Sequence, residues 1–212
     1  MSLINSKKYN IILDVDNTLL ESIDINSIST DKLDKLTDLS DNFIVFENGK
    51  FLTFFRNYLI PFLVFLFDNF NVSIWTAGSA NYVLPIISEI YRLLKKEGYT
   101  VDKGYVFDFI LTGEHCDIVK QLNYPCLKDL KWLWTNPQLS DDYMVKNTLL
   151  IDDNTELLKN YPSNVIIAEY FNVSEKNSDK DNFLVRLQSL LEETLIRDPT
   201  IDVRFMLMPY NL

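Results

Sequence analysis

The segment Ile11-Ile12-Leu13-Asp14-Val15-Asp16-Asn17-Thr18-Leu19 sets an apolar run directly against two carboxylates one residue apart, followed by a hydroxyl. Such a run, ended by polar residues, reads as a buried strand of a parallel sheet. Strand side chains alternate, so Asp14 and Asp16 would share a face if the strand continued. A turn at this point swings both toward one ligand at the carboxyl edge of the sheet, where open α/β sheets carry their chemistry. One short stretch thus constrains both the fold class, α/β with a central parallel sheet, and the place of any site. Taken alone, Asp-x-Asp-x-Thr is also short enough to be an Asx-rich turn capping a strand.

Two carboxylates this close repel, and one is driven to take up a proton unless a cation lies between them. A divalent metal is the natural remedy, and Mg²⁺ favours one or two carboxylates together with phosphate oxygens and water. Three later segments end in residue types suited to phosphoryl chemistry. Asn71-Val72-Ser73-Ile74-Trp75-Thr76-Ala77-Gly78 closes a strand with a hydroxyl and a small-residue turn, fitted to hold phosphate by Thr76 and backbone N–H groups. Lys128 opens a helical stretch and brings an ammonium to neutralise a carboxylate and a transferring phosphoryl. Asn147-Thr148-Leu149-Leu150-Ile151-Asp152-Asp153-Asn154 ends another strand in two further acids, the means to complete a magnesium shell.

In this order the motifs resemble the haloacid dehalogenase superfamily and, within it, the phosphatases of the RNA polymerase II C-terminal-domain type. The resemblance runs from about Tyr9 to about Phe171. It covers Asp14/Asp16/Thr18, a hairpin segment Phe43–Phe55, an Arg-led helix at Arg56, the turn Trp75-Thr76-Ala77-Gly78, Lys128, and Asp152-Asp153. It implies a three-layer Rossmannoid fold in one domain over 1–212, with a small β-hairpin insertion and a helical closing segment from about 182. It makes Asp14 the nucleophile and Asp16 the general acid/base, and assigns Thr76 and Lys128 to the phosphoryl group. Thr18, Arg56, Ala77, Gly78 and Tyr82 fall on the substrate side. Mg²⁺ is implied on Asp14, the main-chain carbonyl of Asp16, and Asp153, with Asp152 orienting Lys128 or a metal-bound water. The chain departs from the pattern at Asn17, where the family often has Glu, and at Asn57-Tyr58, where it usually has Pro-Gly; both bear on substrate preference.

Composition sets the outer bounds. At 212 residues, 47% hydrophobic and 24% charged, the chain can bury one good core. A net charge of −10 argues against nonspecific nucleic-acid binding, which depends on Lys and Arg neutralising phosphates. Two cysteines, Cys116 and Cys126, are too few for a secreted disulfide framework and read as ordinary thiols, with His115 beside them as a loop residue. Met1–Asn10 is polar and carries no signal-peptide pattern, so an intracellular protein, cytoplasmic or nuclear, is expected. The apolar stretch Leu59–Phe67 is too short for a membrane span, which needs about 20 residues, and reads as a buried helix.

Along the chain, strands are predicted at about Tyr9–Asp14, Val106–Leu111, Thr148–Asp152 and Val165–Ala168. A hairpin around Asn48-Gly49 and helices at about Phe54–Phe70, Ala80–Glu97 and Phe183–Ile196 complete the pattern. Glu21–Asp41 reads as a polar surface excursion, and Ser174–Asp181 as a polar loop. Neither gap between the early motifs has room for a bulky cap, which suits an open groove and a phosphorylated protein segment as substrate. Tyr82 is placed where the resembled phosphatases line a peptide pocket, and Phe46 or Phe51 could form a wall. With 14 Phe and 11 Tyr, any one aromatic is as readily core or surface filler; Trp132 and Trp134 read as helix packing. Two other functions stand beside this reading: a non-catalytic docking module of the same fold, and a phosphatase for nucleotide or nucleic-acid ends. The complete acid set favours catalysis over the first, and the acidic balance disfavours the second. The oligomeric state is not legible in the sequence.

Overall fold

The computed structural model describes residues 9–28, 43–46, 50–139, 141–175 and 178–206. Five short strands form a parallel sheet: β1 Asn10–Leu13, β5 Asn71–Trp75, β6 Ile110–Leu111, β7 Thr148–Asp152 and β8 Val165–Ile167, in the order β6-β5-β1-β7-β8. β1 lies at the centre, with Leu13 in register with Ile74 on one side and Ile151 on the other. The strands are apolar nearly throughout because both faces are covered.

Alternation splits the core into two layers. Ile11, Leu13, Val72, Ile74, Leu149 and Ile151 face one cluster, whereas Ile12, Trp75 and Leu150 face the other. On the first face pack α1 Leu59–Asn69, α2 Ala80–Lys96 and α5 Phe183–Leu191, the last continued by a π-helical turn Glu192–Ile196; the short α6 Val203–Met206 joins the same cluster. On the second pack α3 Gly113–Gln121 and α4 Leu130–Thr135. Helix α1 shows why the sequence forms it: Leu59, Phe62, Leu63, Leu66 and Phe67 are buried at helical spacing. Each such side chain removed from water contributes roughly 1.5–3 kcal/mol.

A second sheet is antiparallel and three-stranded, β2 Leu20–Asp24, β4 Phe51–Phe55 and β3 Phe43–Phe46 in the order β2-β4-β3. The predicted hairpin pairs as expected, Phe46 opposite Phe51, while its Asn48-Gly49 turn lies outside the described residues. Four local expectations are corrected. The head of the supposed polar excursion is β2, held by its ladder to β4. Phe54 and Phe55 belong to β4, and α1 begins only at Leu59 after Tyr58 takes φ 65°. That left-handed conformation costs a non-glycine residue about 1 kcal/mol, and it falls where the resembled pattern has glycine. Only Ile110–Leu111 of the predicted 106–111 strand pairs. His115 sits in the first turn of α3, accepting at Nδ1 from the Thr112 N–H at 3.1 Å, rather than in a loop. No described helix is long and apolar enough to cross a membrane.

Candidate active site

The carboxyl ends of β1, β5 and β7 meet at one place. β1 stops at Leu13, and Asp14 donates its N–H to Ile151 O at 2.9 Å, which keeps it in line with β7. The chain then turns through Asn17 at φ 58°, a conformation Asn tolerates, with Asn17 N–H on Leu20 O at 2.7 Å and Leu19 N–H on Val15 O at 2.9 Å. The turn is compact, with Asp16 bridged in parallel to Leu20 at the head of β2. It leaves Asp14 buried and Asp16 half-buried beside it.

Lys128, 7% exposed, places its ammonium between Asp14 and Asp152, on Asp14 Oδ1 and at 2.6 Å from Asp152 Oδ2. Lys128 precedes its helix instead of opening it. Asp129 is the N-cap of α4, accepting from the N–H groups of Lys131 and Trp132 and from the Tyr161 hydroxyl. That cap nails down the residue next to the ammonium. Asp152 is held in turn by the Asn154 N–H at 2.9 Å on Oδ1. One carboxylate oxygen from each of Asp14, Asp152 and Asp153 lies within 4.8 Å of the others. A cavity of about 250 Å³ opens over this cluster, with Asp16, Ala77 and the exposed Leu127 among its walls.

The electrostatics are those of too many acids for one base. Burial pushes the Asp14 carboxyl up to about 7, against the pull of Lys128 and with the help of Asp152. Asp16 and Asp153 are raised too, both chiefly by burial; Tyr82 opposes the shift at Asp16, and Asp152 adds to it at Asp153. Burial works against the Lys128 ammonium, but Asp14 and Asp152 outweigh it and the pKa rises. Among the described residues, four carboxylates line the pocket with Lys128 alone to balance them. An all-oxygen, carboxylate donor set left with excess negative charge fits a hard divalent cation such as Mg²⁺.

On the β5 side, Thr76 is buried, and its Oγ1 accepts the Gly78 N–H at 3.0 Å while its O–H stays a donor. The model for NLI interacting factor-like phosphatases matches residues 9–204. The chain belongs to the NLI interacting factor-like phosphatase family. It is 35% identical over 190 residues to the CTD phosphatase-like protein 355R of Invertebrate iridescent virus 6, covering 88% of this chain and 98% of that one. The protein of the same name from Invertebrate iridescent virus 3 is 31% identical, over 89% and 97%. Ubiquitin-like domain-containing CTD phosphatase 1 of Homo sapiens is 25% identical over 70% of this chain and 44% of its own length. The solved structure of Fcp1, an RNA polymerase II CTD phosphatase, superposes with a TM-score of 0.60 at 14% identity, over 94% of this chain and 69% of that one. That likeness bears on the fold, which is haloacid dehalogenase-like.

Of the residues expected at the site of this phosphatase, the structure brings Asp14, Asp16, Lys128, Asp152, Asp153 and Ala77 to one pocket. Thr18 is fully buried and donates to Asp14 Oδ2 at 3.3 Å, so it braces the carboxylate from behind. Tyr82 donates its hydroxyl to Asp16. Phe51 packs on the Tyr82 ring, and the Phe46 side chain lies outside the described residues. Gly113 and Glu114 went unread: a Cβ on Gly113 would lie 2.6 Å from Ala77 O, and Glu114 accepts the Ala80 N–H at the start of α2. They brace the Thr76–Gly78 turn from α3. The tight helix start after Thr112 was the available signal.

Thr18, Thr76, Gly78 and Tyr82 are expected site residues that do not line the carboxylate pocket, and neither does Arg56. Its guanidinium is fully buried, forks onto Asp181 with two bonds of 2.8 Å, and donates from Nη1 to Thr18 O at 3.0 Å. Phe183 lies 4.4 Å from its guanidinium carbon. The residue therefore ties the segment before α5 to the back of the Asp14 loop. Arg56→Met is expected to cost roughly 3 kcal/mol, because it strands Asp181. Urea unfolding would measure this, with KM for an aryl phosphate little changed. A rise in KM at unchanged stability would return Arg56 to the substrate side.

Proposed function

We propose that this phosphatase hydrolyses phosphomonoesters through an aspartyl-phosphate on Asp14, with Mg²⁺ as cofactor and phosphoserine or phosphothreonine segments of proteins as substrates. The observation that carries the reading is the convergence of Asp14, Lys128, Asp152 and Asp153 at the ends of β1 and β7 and the head of α4. An Asp14 oxygen attacks phosphorus, and the bond from phosphorus to the substrate oxygen breaks as Asp16 gives that oxygen its proton. Asp16, now a base, takes a proton from water, whose oxygen attacks phosphorus and breaks the bond to Asp14. Inorganic phosphate leaves, and the enzyme is restored. Lys128 and the O–H of Thr76 stabilise charge on the phosphoryl oxygens in both steps. Mg²⁺, held by Asp14 and Asp153 with the Asp16 carbonyl, would neutralise the clustered carboxylates and draw charge from the phosphoryl group.

A protein segment is favoured as substrate because the gap between β5 and Lys128 is filled by α2, β6 and α3, which are core elements, so no cap is built there to enclose a small metabolite. The CTD phosphatase-like names of the viral relatives point the same way. The acidic balance of the chain suits neither nucleotide ends nor DNA.

The test is release of inorganic phosphate from an aryl phosphate, phosphoserine peptides and nucleotides, with Mg²⁺ and with chelator. Turnover that vanishes on chelation and returns with Mg²⁺, and that is higher on peptides than on nucleotides, is expected. A wild type inert on every substrate would transfer the assignment to the docking module. Preference for nucleotides would overturn the substrate class alone.

A further inference from the structure

Tyr82 is held from several directions, by the inserted sheet, by the Thr76–Gly78 turn and by Asp16. Phe51 on β4 stands edge-on to its ring, centroids 5.8 Å apart at 70°. A Cβ on Gly78 would lie 2.8 Å from Tyr82 Cδ1, so the glycine makes room for the ring. The Tyr82 hydroxyl donates to Asp16 Oδ1. Phe51 is fixed in turn by its ladders, opposite Asp24 on β2 and Phe46 on β3. Neither Tyr82 nor Phe51 lines the carboxylate pocket.

We propose that Tyr82, seated against Phe51 of the inserted antiparallel sheet, positions the Asp16 carboxylate for proton transfer, so that the inserted sheet belongs to the catalytic apparatus. The inference rests on the reading of Asp16 as acid/base. The terminal torsion of an Asp side chain is broad and two-fold, so a carboxylate on a turn samples many orientations unless something holds it. Here Tyr82 takes Oδ1, which makes Oδ2 the oxygen that carries the proton. Tyr82 is thus a positioning residue that acts through Asp16.

The experiment compares wild type, Tyr82→Phe, Phe51→Leu and Asp14→Asn, all with Mg²⁺, on a phosphoserine peptide and on p-nitrophenyl phosphate. Tyr82→Phe keeps the ring and its packing and removes only the hydroxyl. Its kcat on the peptide is expected to fall about tenfold, a fraction of what general acid–base catalysis contributes, with KM unchanged. Phe51→Leu, which removes the ring that backs Tyr82, should move kcat the same way, by about threefold, although Phe51 does not line the pocket. Nitrophenolate leaves without a proton, so the burst of nitrophenol in Tyr82→Phe should keep its wild-type rate while steady turnover falls. Three results would overturn the proposal: kcat at the wild-type value in both variants, KM raised with kcat unchanged, or a burst slowed in step with turnover. The first means no positioning role, the second substrate contact, the third general distortion. Asp14→Asn separates this from the parent reading: turnover in that variant sinks the aspartyl-phosphate mechanism, as does an inert wild type, and each takes the proposal with it. An inert Asp14→Asn beside an unaffected Tyr82→Phe sinks the positioning role alone.

Discussion

Asp14→Asn is expected to lower turnover of an aryl phosphate by at least about 10³-fold, because an amide cannot form the acyl-phosphate bond. The same change should leave the metal-free protein firmer at alkaline pH. Burial holds the Asp14 carboxyl at about 7, well above the ordinary carboxylate range. A folded-state pKa raised in this way contributes stability that is fully present below the unfolded value near 4 and is lost as pH rises through about 7. Asn never ionises and escapes that loss. The expected result is that, between pH 5 and 8, the thermal midpoint of metal-free wild type falls more than that of the variant, with the variant ahead at pH 8. Added Mg²⁺ should narrow the gap by stabilising the wild type. Retained activity in Asp14→Asn would remove the nucleophile assignment, and parallel pH curves would remove the electrostatic account of the cluster.

Lys128→Met is expected to cost both catalysis and stability. The ammonium lies between Asp14 and Asp152 with 7% of the residue exposed, and no other cation lines the pocket among the described residues. Removing it withdraws a preorganised charge from the phosphoryl oxygens, worth roughly 10²–10³ in kcat. It also leaves two buried carboxylates unpaired, at about 3 kcal/mol. Mg²⁺ should recover part of the lost stability, since the carboxylates then have a cation again, but little of the lost rate. Urea unfolding with and without Mg²⁺, read beside kcat, checks both halves. Full recovery of kcat with metal would mean that Lys128 serves only the fold.

How far the sequence could be read follows from the range of the interactions. β1, β5 and β7 were legible because a strand buried on both faces must be apolar along its length, and the polar residues at its end then stand out. Helix α1 was legible from Leu59, Phe62, Leu63 and Leu66 at helical spacing. β2 was not, because Leu20-Glu21-Ser22-Ile23-Asp24 is polar by composition and becomes a strand only through its ladder to β4. The pairing of Arg56 was not legible for a similar reason. Its partner Asp181 stands 125 residues away in a polar loop that nothing local distinguishes from a surface turn.

The sequence by itself determined the fold class, the order of the strand-end motifs and the acids Asp14, Asp16, Asp152 and Asp153, since these are properties of short segments and of side-chain type. Only the tertiary structure decided what each group touches. It set Lys128 between Asp14 and Asp152, turned Arg56 away from the pocket onto Asp181, and laid Tyr82 on Asp16, 66 residues distant. Those contacts depend on how the parallel sheet, its helices and the inserted sheet pack against one another. Packing is decided by the whole chain at once, so no local pattern carries it.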